Sequence, residues 1–336
     1  MKLKSPISIL TNQEINREEW ATFLRTAKAS NPFQAPSFYD YFQHEPDQDS
    51  LAVAIKADDQ IQALVVAAIH KVAGLKANFS KRAIIYGGVA YRKPEFISQL
   101  LKALEEKLRS KAIYIEIRNF FNFKEHKDQF KDWEYQAHMN VKLDVSNFET
   151  ADDYLASLKY NRRREIKQSI KAGADFEETR KESEVEQIYD ILEDLYLERV
   201  KLPLPSRDFF LDQLQFDCFK VFAVRHNKRI IGGAFTLYLE GKGIYTWYYC
   251  GIRDYEKKIF PTHLAVMAVI DFALKSGLSH IDFMGAGKPE EEYGVRKYKL
   301  QFGGELVEDG RYIKVLNPLL FSIGKIGVKV LSKLKK

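Results

Sequence analysis

The feature that most constrains this chain is an order of hydrophobic periods that occurs twice. LAVAIKADDQIQALVVAAIHKV (51–72) is two apolar runs joined at Asp58-Asp59, the pattern of a β-hairpin. RAIIYGGVAYR (82–92) reads as a third strand, FISQLLKALEEKLRSK (96–111) sets Ile97, Leu100, Leu101, Leu104 and Leu108 on one helical face, and AIYIEIRNF (112–120) alternates as a strand. FKVFAVRHNKRIIGGAFTLYLEG (219–241) then repeats the hairpin around Asn227-Lys228. GKGIYTWYYCGI (241–252) gives a third strand, THLAVMAVIDFALKSG (262–277) a helix closed by Gly277, and LSHIDFMGAG (278–287) a last strand. Hairpin, strand, helix, strand, told twice, predicts two similar α/β domains with mixed sheets instead of one long sheet.

The length of 336 residues suits two domains, and 46% hydrophobic with 29% charged residues is a globular composition. The join is expected in VKLDVSNFETADDYL, giving a first domain over 1–147, a second over 148–316 and a terminal helix over 317–336. Cys218 and Cys250 each lie in a β-like apolar run, so two buried free thiols in a reducing compartment are expected. The N-terminal MKLKSPISILTNQEINREEW meets charge before it builds an apolar core, and no run of about 18 apolar residues occurs, which predicts a cytoplasmic protein without a transmembrane segment. A formal charge of +6 over this length does not mark a general nucleic-acid scaffold, so any polyanion site must be local.

Three segments are rich enough in charge to carry chemistry. YGVRKYKLQFGG (293–304) sets Arg296, Lys297 and Lys299 among Tyr293, Tyr298 and Phe302, a mixture that suits an anionic ligand or a developing negative charge. Its plain alternative is a hairpin with a cationic solvent face. LKYNRRREIKQSIKAG (158–173) aligns Lys159, Arg163 and Lys167 on one helical face, with Lys171 continuing the line and Glu165 the sole acid nearby. That stripe reads as a place for tRNA phosphates or lipid headgroups, or as a solvated face. NPLLFSIGKIGVKVLSKLKK (317–336) is a basic amphipathic helix that fits an anionic membrane surface or its own domain, Gly324 and Gly327 favouring the latter. Asp282, at the end of a strand, suits a proton acceptor or a hydrogen-bonded structural group. His263 and His280, in apolar surroundings, read as core or boundary histidines.

The sequence lacks HExxH, CxxC and GxSxG, so metal-assisted hydrolysis and a serine nucleophile have no support. GIRDYEKKIFPTHL (251–264), which precedes the second helix, lacks the glycines that expose backbone amides to a pyrophosphate, and Pro261 has no N–H to offer. A conventional acetyl-CoA site is therefore not expected in the second half.

Taken together, LKYNRRREIKQSIKAG, FPTHLAVMAVIDFALKSGLSHIDFMGAG (260–287), YGVRKYKLQFGG and, more loosely, NPFQAPSFYDYF (31–42) resemble the FemAB family of peptidoglycan-bridge aminoacyltransferases and their BioF2-like acyltransferase relatives. The resemblance implies a tandem GNAT fold and direct transfer of an aminoacyl or acyl group to an amine, without a metal, a bound cofactor or a covalent enzyme intermediate. It implies aminoacyl-tRNA or an acyl-thioester as donor, and a lipid-linked or nucleotide-linked cell-wall precursor as acceptor, met at the inner face of the membrane. By position it makes Lys299 the group that stabilises the oxyanion and Tyr298 the aromatic that holds or shields the acyl group. Arg207 and Phe210, in VKLPLPSRDFFLDQL, fall where the family contacts a phosphate of the acceptor, whereas Phe42 stands where some members carry a phosphate-binding lysine. The remaining alternative is a binding module of the same fold without catalysis.

Overall fold

The computed structural model describes residues 7–70 and 81–324. These divide into two compact units, residues 7–70, 81–138 and 308–324 in one and residues 139–307 in the other.

The sheet of the first unit runs, edge to edge, Ser8–Thr11, Gln48–Ala57, Gln60–His70, Arg82–Gly87, Tyr114–Asn119, Arg311–Val315, Glu134–Gln136, with Ala90–Tyr91 paired beside Gln60–His70. Arg82–Gly87 and Tyr114–Asn119 are parallel. A parallel pair needs a crossover, and the helix Ile97–Leu108 supplies it. Its apolar face, Leu100, Leu101, Leu104 and Leu108, packs on Ile85, Ile115 and Ile117 of the sheet.

The second unit repeats this plan. Its sheet runs Glu305–Glu308, Met139–Asp144, His280–Gly285, Gly243–Gly251, Arg229–Leu239, Phe219–His226, Asp175–Thr179. Gly243–Gly251 and His280–Gly285 are parallel, and the helix Pro261–Lys275 crosses between them, burying Leu264, Val266, Met267, Val269 and Ile270. The repetition extends to single residues. Asp58 and Asp59 turn the first hairpin at φ +52° and +55°, and Asn227 and Lys228 turn the second at +50° and +64°. Two left-handed residues match the twist of the flanking strands, so each turn is of the primed type. Each hairpin also slips register just before its turn, between Ile55 and Lys56 and between Val224 and Arg225.

The boundaries at 147/148 and 316/317 are corrected by strand exchange. Met139–Asp144, expected in the first domain, pairs with His280–Gly285 in the second sheet. Arg311–Val315, expected in the second, pairs with Tyr114–Asn119 and Glu134–Gln136 in the first. Alternation identifies a strand but not its partner, and both exchanged strands pair with residues more than a hundred positions away. Residues 318–324 are helical, with the Phe321 ring 5.3 Å from that of Tyr114. Lys325, Lys329, Lys333 and Lys336 of the proposed basic stripe lie outside the described residues. Among the described residues no helix is long and apolar enough to cross a membrane.

Candidate active site

The site lies in the second unit, where its two parallel strands part. They pair at Gly243–His280, Ile244–Ile281 and Tyr245–Asp282, and pairing then stops although both strands continue. On its other side the strand His280–Gly285 carries a bulge: Asp282 faces Lys142 and Gly285 faces Asn140, three steps against two, with Met284 at φ +59°. Parting strands leave carbonyls that need donors. Lys299 provides one, its Nζ donating to Gly285 O at 2.8 Å and Met284 O at 3.3 Å.

The expected hairpin or irregular loop at 293–304 is instead a short helix, Gly294–Leu300. Lysine 299 is therefore not on a solvated strand: it is buried, with 6% of its surface exposed. Burial presses its pKa down to about 8, and the Asp282 carboxylate opposes the shift. Asp282 is itself fully buried, and its Oδ1 accepts from Met284 N at 2.6 Å, which fixes the left-handed turn of the bulge.

Tyr298, one residue earlier, faces a different set of partners. Its hydroxyl lies 3.1 Å from His263 Nδ1, and His263 Nε2 lies 3.3 Å from Glu165 Oε2. Burial, then the Arg162 guanidinium, holds the His263 pKa at about 3, so the ring is neutral at physiological pH. With a carboxylate at Nε2 the single ring proton belongs there. Nδ1 is then an acceptor, Tyr298 donates to it, and the lone pairs of the phenol remain available. Burial, followed by the neighbouring Tyr249, raises the Tyr298 pKa well above its ordinary value, so it stays a phenol. Tyr298 stacks at 6.2 Å on Tyr249. Arg162 is buried, sits 5.2 Å over Tyr298 and 4.9 Å over Phe302, and bonds Gln301.

Sequence reasoning missed Arg162, Glu165 and His263. Arg162 is one of three consecutive arginines, and only helical phase separates the inward one from Arg163 and Arg164. Glu165 stands three residues after Arg162 and is paired with it at 3.3 Å, the one signal that a helix face here turns inward. Nothing in the sequence places His263 beside Tyr298.

The other expected site residues are placed as follows. Arg296 braces the preceding loop through Ala286 O at 2.8 Å, Pro289 O at 3.2 Å and Lys288 O. Tyr293 is the residue before the short helix, is 39% exposed, and packs where a Cβ on Gly287 would come within 3.1 Å of its ring. Phe210 is fully buried among Phe235, Tyr248 and Tyr189. Arg207 pairs with Asp190 at 2.6 Å and lies 4.9 Å over Tyr189, so a carboxylate already occupies its fork. Lys159 precedes the helix Tyr160–Lys171 and is exposed, as is Lys167; half-buried Arg163 bonds Ala156 O. Arg163, Arg164, Lys167 and Lys171, with exposed Tyr160, line an open hollow of about 260 Å³.

At the start of the helix Pro261–Lys275 lies a cavity of about 330 Å³, lined by Arg253, Lys257, Phe260, Thr262 and His263 among others. His263 therefore joins this cavity to Tyr298. The helix start is no cradle of free amides, since Pro261 has no N–H and the amides of His263 and Leu264 already donate to Phe260 O.

Residues 156–300, which contain Arg162, Glu165, His263, Asp282, Tyr298 and Lys299, match the description of an acetyltransferase (GNAT) domain. Together with the doubled β-α-β plan, that match shows a GNAT acetyltransferase domain within a FemAB-like, tandem GNAT fold. Within the class its fold is similar to that of FemX, with a TM-score of 0.72 at 14% identity over 94% of this chain and 99% of that one. It is also similar to the C-terminal DUF2156 domain of a putative lysylphosphatidylglycerol synthetase from Agrobacterium fabrum, with a TM-score of 0.57 at 15% identity over 94% and 96% of the two chains. A tandem GNAT protein from the clavulanic acid biosynthesis pathway gives 0.57 at 10% identity over 93% and 99%. At these identities the likeness is one of fold. No curated protein matches the sequence.

Proposed function

We propose that the chain transfers an aminoacyl group from aminoacyl-tRNA to the amine of a cell-envelope precursor, lipid-linked or nucleotide-linked, forming an amide. The observation that carries this reading is Lys299, a buried ammonium where two strands part, whose pKa of about 8 leaves it charged at neutral pH. Attack of an amine on the donor ester forms a C–N bond and places a negative charge on the carbonyl oxygen. A positioned cation in a dry site stabilises that charge by a few kcal/mol. The C–O bond then breaks, and the leaving ribose oxygen takes up the proton that the amine gives up, returned by the relay below.

The attacking amine must lose a proton, and the chain from Tyr298 through His263 to Glu165 offers a route. The amine N–H meets the free lone pair of Tyr298, the phenol proton passes to Nδ1 of His263, and the proton on Nε2 passes to the Glu165 carboxylate. This route needs no imidazolium as a resting state, which suits the low pKa of His263. In this reading Asp282 holds the bulge and offsets the burial of Lys299. FemX and the lysylphosphatidylglycerol synthetase domain support the reading by fold.

Hydroxylamine serves as a probe amine: wild type should form aminoacyl-hydroxamate from aminoacyl-tRNA above the uncatalysed rate, and Lys299→Met should do so about one to three orders of magnitude more slowly. Equal rates for the two would overturn the reading. The acetyltransferase match of residues 156–300 favours a second reading, an N-acyltransferase whose acyl-thioester enters the cavity beside His263.

A further inference from the structure

Helical phase sends one of three consecutive arginines inward, and the groups of the relay gather round it. Arg162, on the helix Tyr160–Lys171, has 7% of its side chain exposed. Its Nη1 lies 3.3 Å from Glu165 Oε2, the same oxygen that lies 3.3 Å from His263 Nε2. Its Cζ stands 5.2 Å over the Tyr298 ring, and the Tyr298 hydroxyl lies 3.1 Å from the other ring nitrogen of His263. One guanidinium thus meets both ends of the path from Tyr298 through His263 to Glu165. It also holds the turn that follows Tyr298, through a hydrogen bond to Gln301 and a contact 4.9 Å over Phe302.

Packing alone does not account for this arrangement. A buried guanidinium costs free energy unless its donors are satisfied. Among the described residues Arg162 Nε is buried with no hydrogen-bond partner, and Nη1 meets Glu165 as an ion pair without hydrogen-bond alignment. An apolar chain of similar volume in place of a cation so held is often neutral or stabilising. The charge has a use where negative charge moves. In the relay the Glu165 carboxylate is the anion at rest, and negative charge reaches the Tyr298 oxygen as its proton passes to His263. The guanidinium stands beside either end, so the charge moves within reach of one fixed cation. Two shifts agree with this placement. Burial and Tyr249 raise the Tyr298 pKa and Arg162 acts against them, while Arg162 adds to the burial that holds His263 at about 3.

We propose that Arg162 is the positioning residue of the relay: its guanidinium lines up Glu165 and Tyr298 on the two nitrogens of His263 and is counter-ion to both ends. The proton path is unchanged, and Arg162 keeps its own protons throughout. This role rests on the transfer reading for its effect on rate, whereas its effect on His263 is read without substrate. The other groups facing His263 are the rings of Phe260, stacked at 5.3 Å, and Phe302, at 6.1 Å, and, round the cavity, Arg253, Asp254, Glu256 and Lys257. Those four charged residues are exposed and screened by solvent, which leaves Arg162 as the buried cation of the set.

Two variants of the full chain test the role: Arg162→Met keeps volume and loses charge, and Arg162→Lys keeps charge and loses the fork. In the hydroxylamine assay Arg162→Met should lower kcat about tenfold at unchanged KM, and Arg162→Lys should recover part of that loss. Glu165→Gln should cost about a hundredfold and Arg162→Met/Glu165→Gln no more than that, since both act on one path; independent faults would multiply to about a thousandfold. Without substrate, the His263 imidazole is followed by NMR and assigned by its loss in His263→Gln. It should titrate at higher pH in Arg162→Met than in wild type, because a cation beside it is gone, and stay low in Arg162→Lys. The melting temperature of Arg162→Met should not fall, as it would for an arginine whose duty is purely structural. An unmoved His263 titration, multiplying rate effects or a lowered melting temperature would overturn the role of Arg162. A shifted titration in a chain that forms no hydroxamate would overturn the transfer reading and keep Arg162 as the group that sets His263.

Discussion

Lysine 299 shows how one residue's chemistry depends on what its neighbours have left unpaired. The parting of two strands exposes carbonyls that only a donor can satisfy, and a buried donor that is also a cation sits close to losing its proton. Its pKa is lowered from 10.5 to about 8, so the ammonium is present below pH 8 and is lost as pH rises through that value. The transfer rate should accordingly fall above about pH 8, and Lys299→Met should lose one to three orders of magnitude in rate together with that descending limb. Stability should move the other way. Between about pH 8 and 10.5 the unfolded chain binds a proton that the folded chain has released, so wild type gains stability with rising pH there, and Lys299→Met should lack that gain in denaturant titrations. The phenol and imidazole are tested separately. Tyr298→Phe and Glu165→Gln should each slow transfer about a hundredfold at unchanged KM, the loss of one step of proton transfer; unchanged kcat in both would remove the relay.

Among elements, the paired hairpins and the cationic helix make opposite kinds of claim. The turn Asn227-Lys228 holds a lysine at φ +64°, where a side chain is strained and glycine is not. Lys228→Gly should raise stability by about 1 kcal/mol, read from the denaturation midpoint at constant slope. The helix Tyr160–Lys171 turns Arg162 inward and leaves Lys167 exposed. If its outer face holds the tRNA, Arg163→Glu/Lys167→Glu should weaken aminoacyl-tRNA binding and reduce the slope against log salt by about one for each phosphate no longer neutralised. Parallel slopes would leave that face to solvent.

For the whole molecule, the doubled fold was legible because hydrophobic period survives where residue identity does not. Both hairpins, both crossover helices and both closing strands stand where alternation and the 3.6-residue period put them. The exchanged strands Met139–Asp144 and Arg311–Val315 were not legible, since pairing between distant segments leaves no local mark. The site was legible in part. Tyr298 and Lys299 came from a motif, whereas Glu165, His263 and Arg162 needed distant segments folded together, and the burial of Phe210 is not visible in a sequence. At this scale the helix start at Pro261 also bears on the donor: with its amides already bound to Phe260 O, acetyl-CoA should show no appreciable heat of binding, and tight saturable binding would favour the acyl-thioester reading. The most direct measurement is comparative mass spectrometry of amine-bearing envelope precursors from cells carrying wild type, the Lys299→Met variant or no copy of the gene. The account predicts precursors enlarged by an aminoacyl residue with wild type alone. Identical precursors in all three, or an enlargement that persists in Lys299→Met, would contradict it.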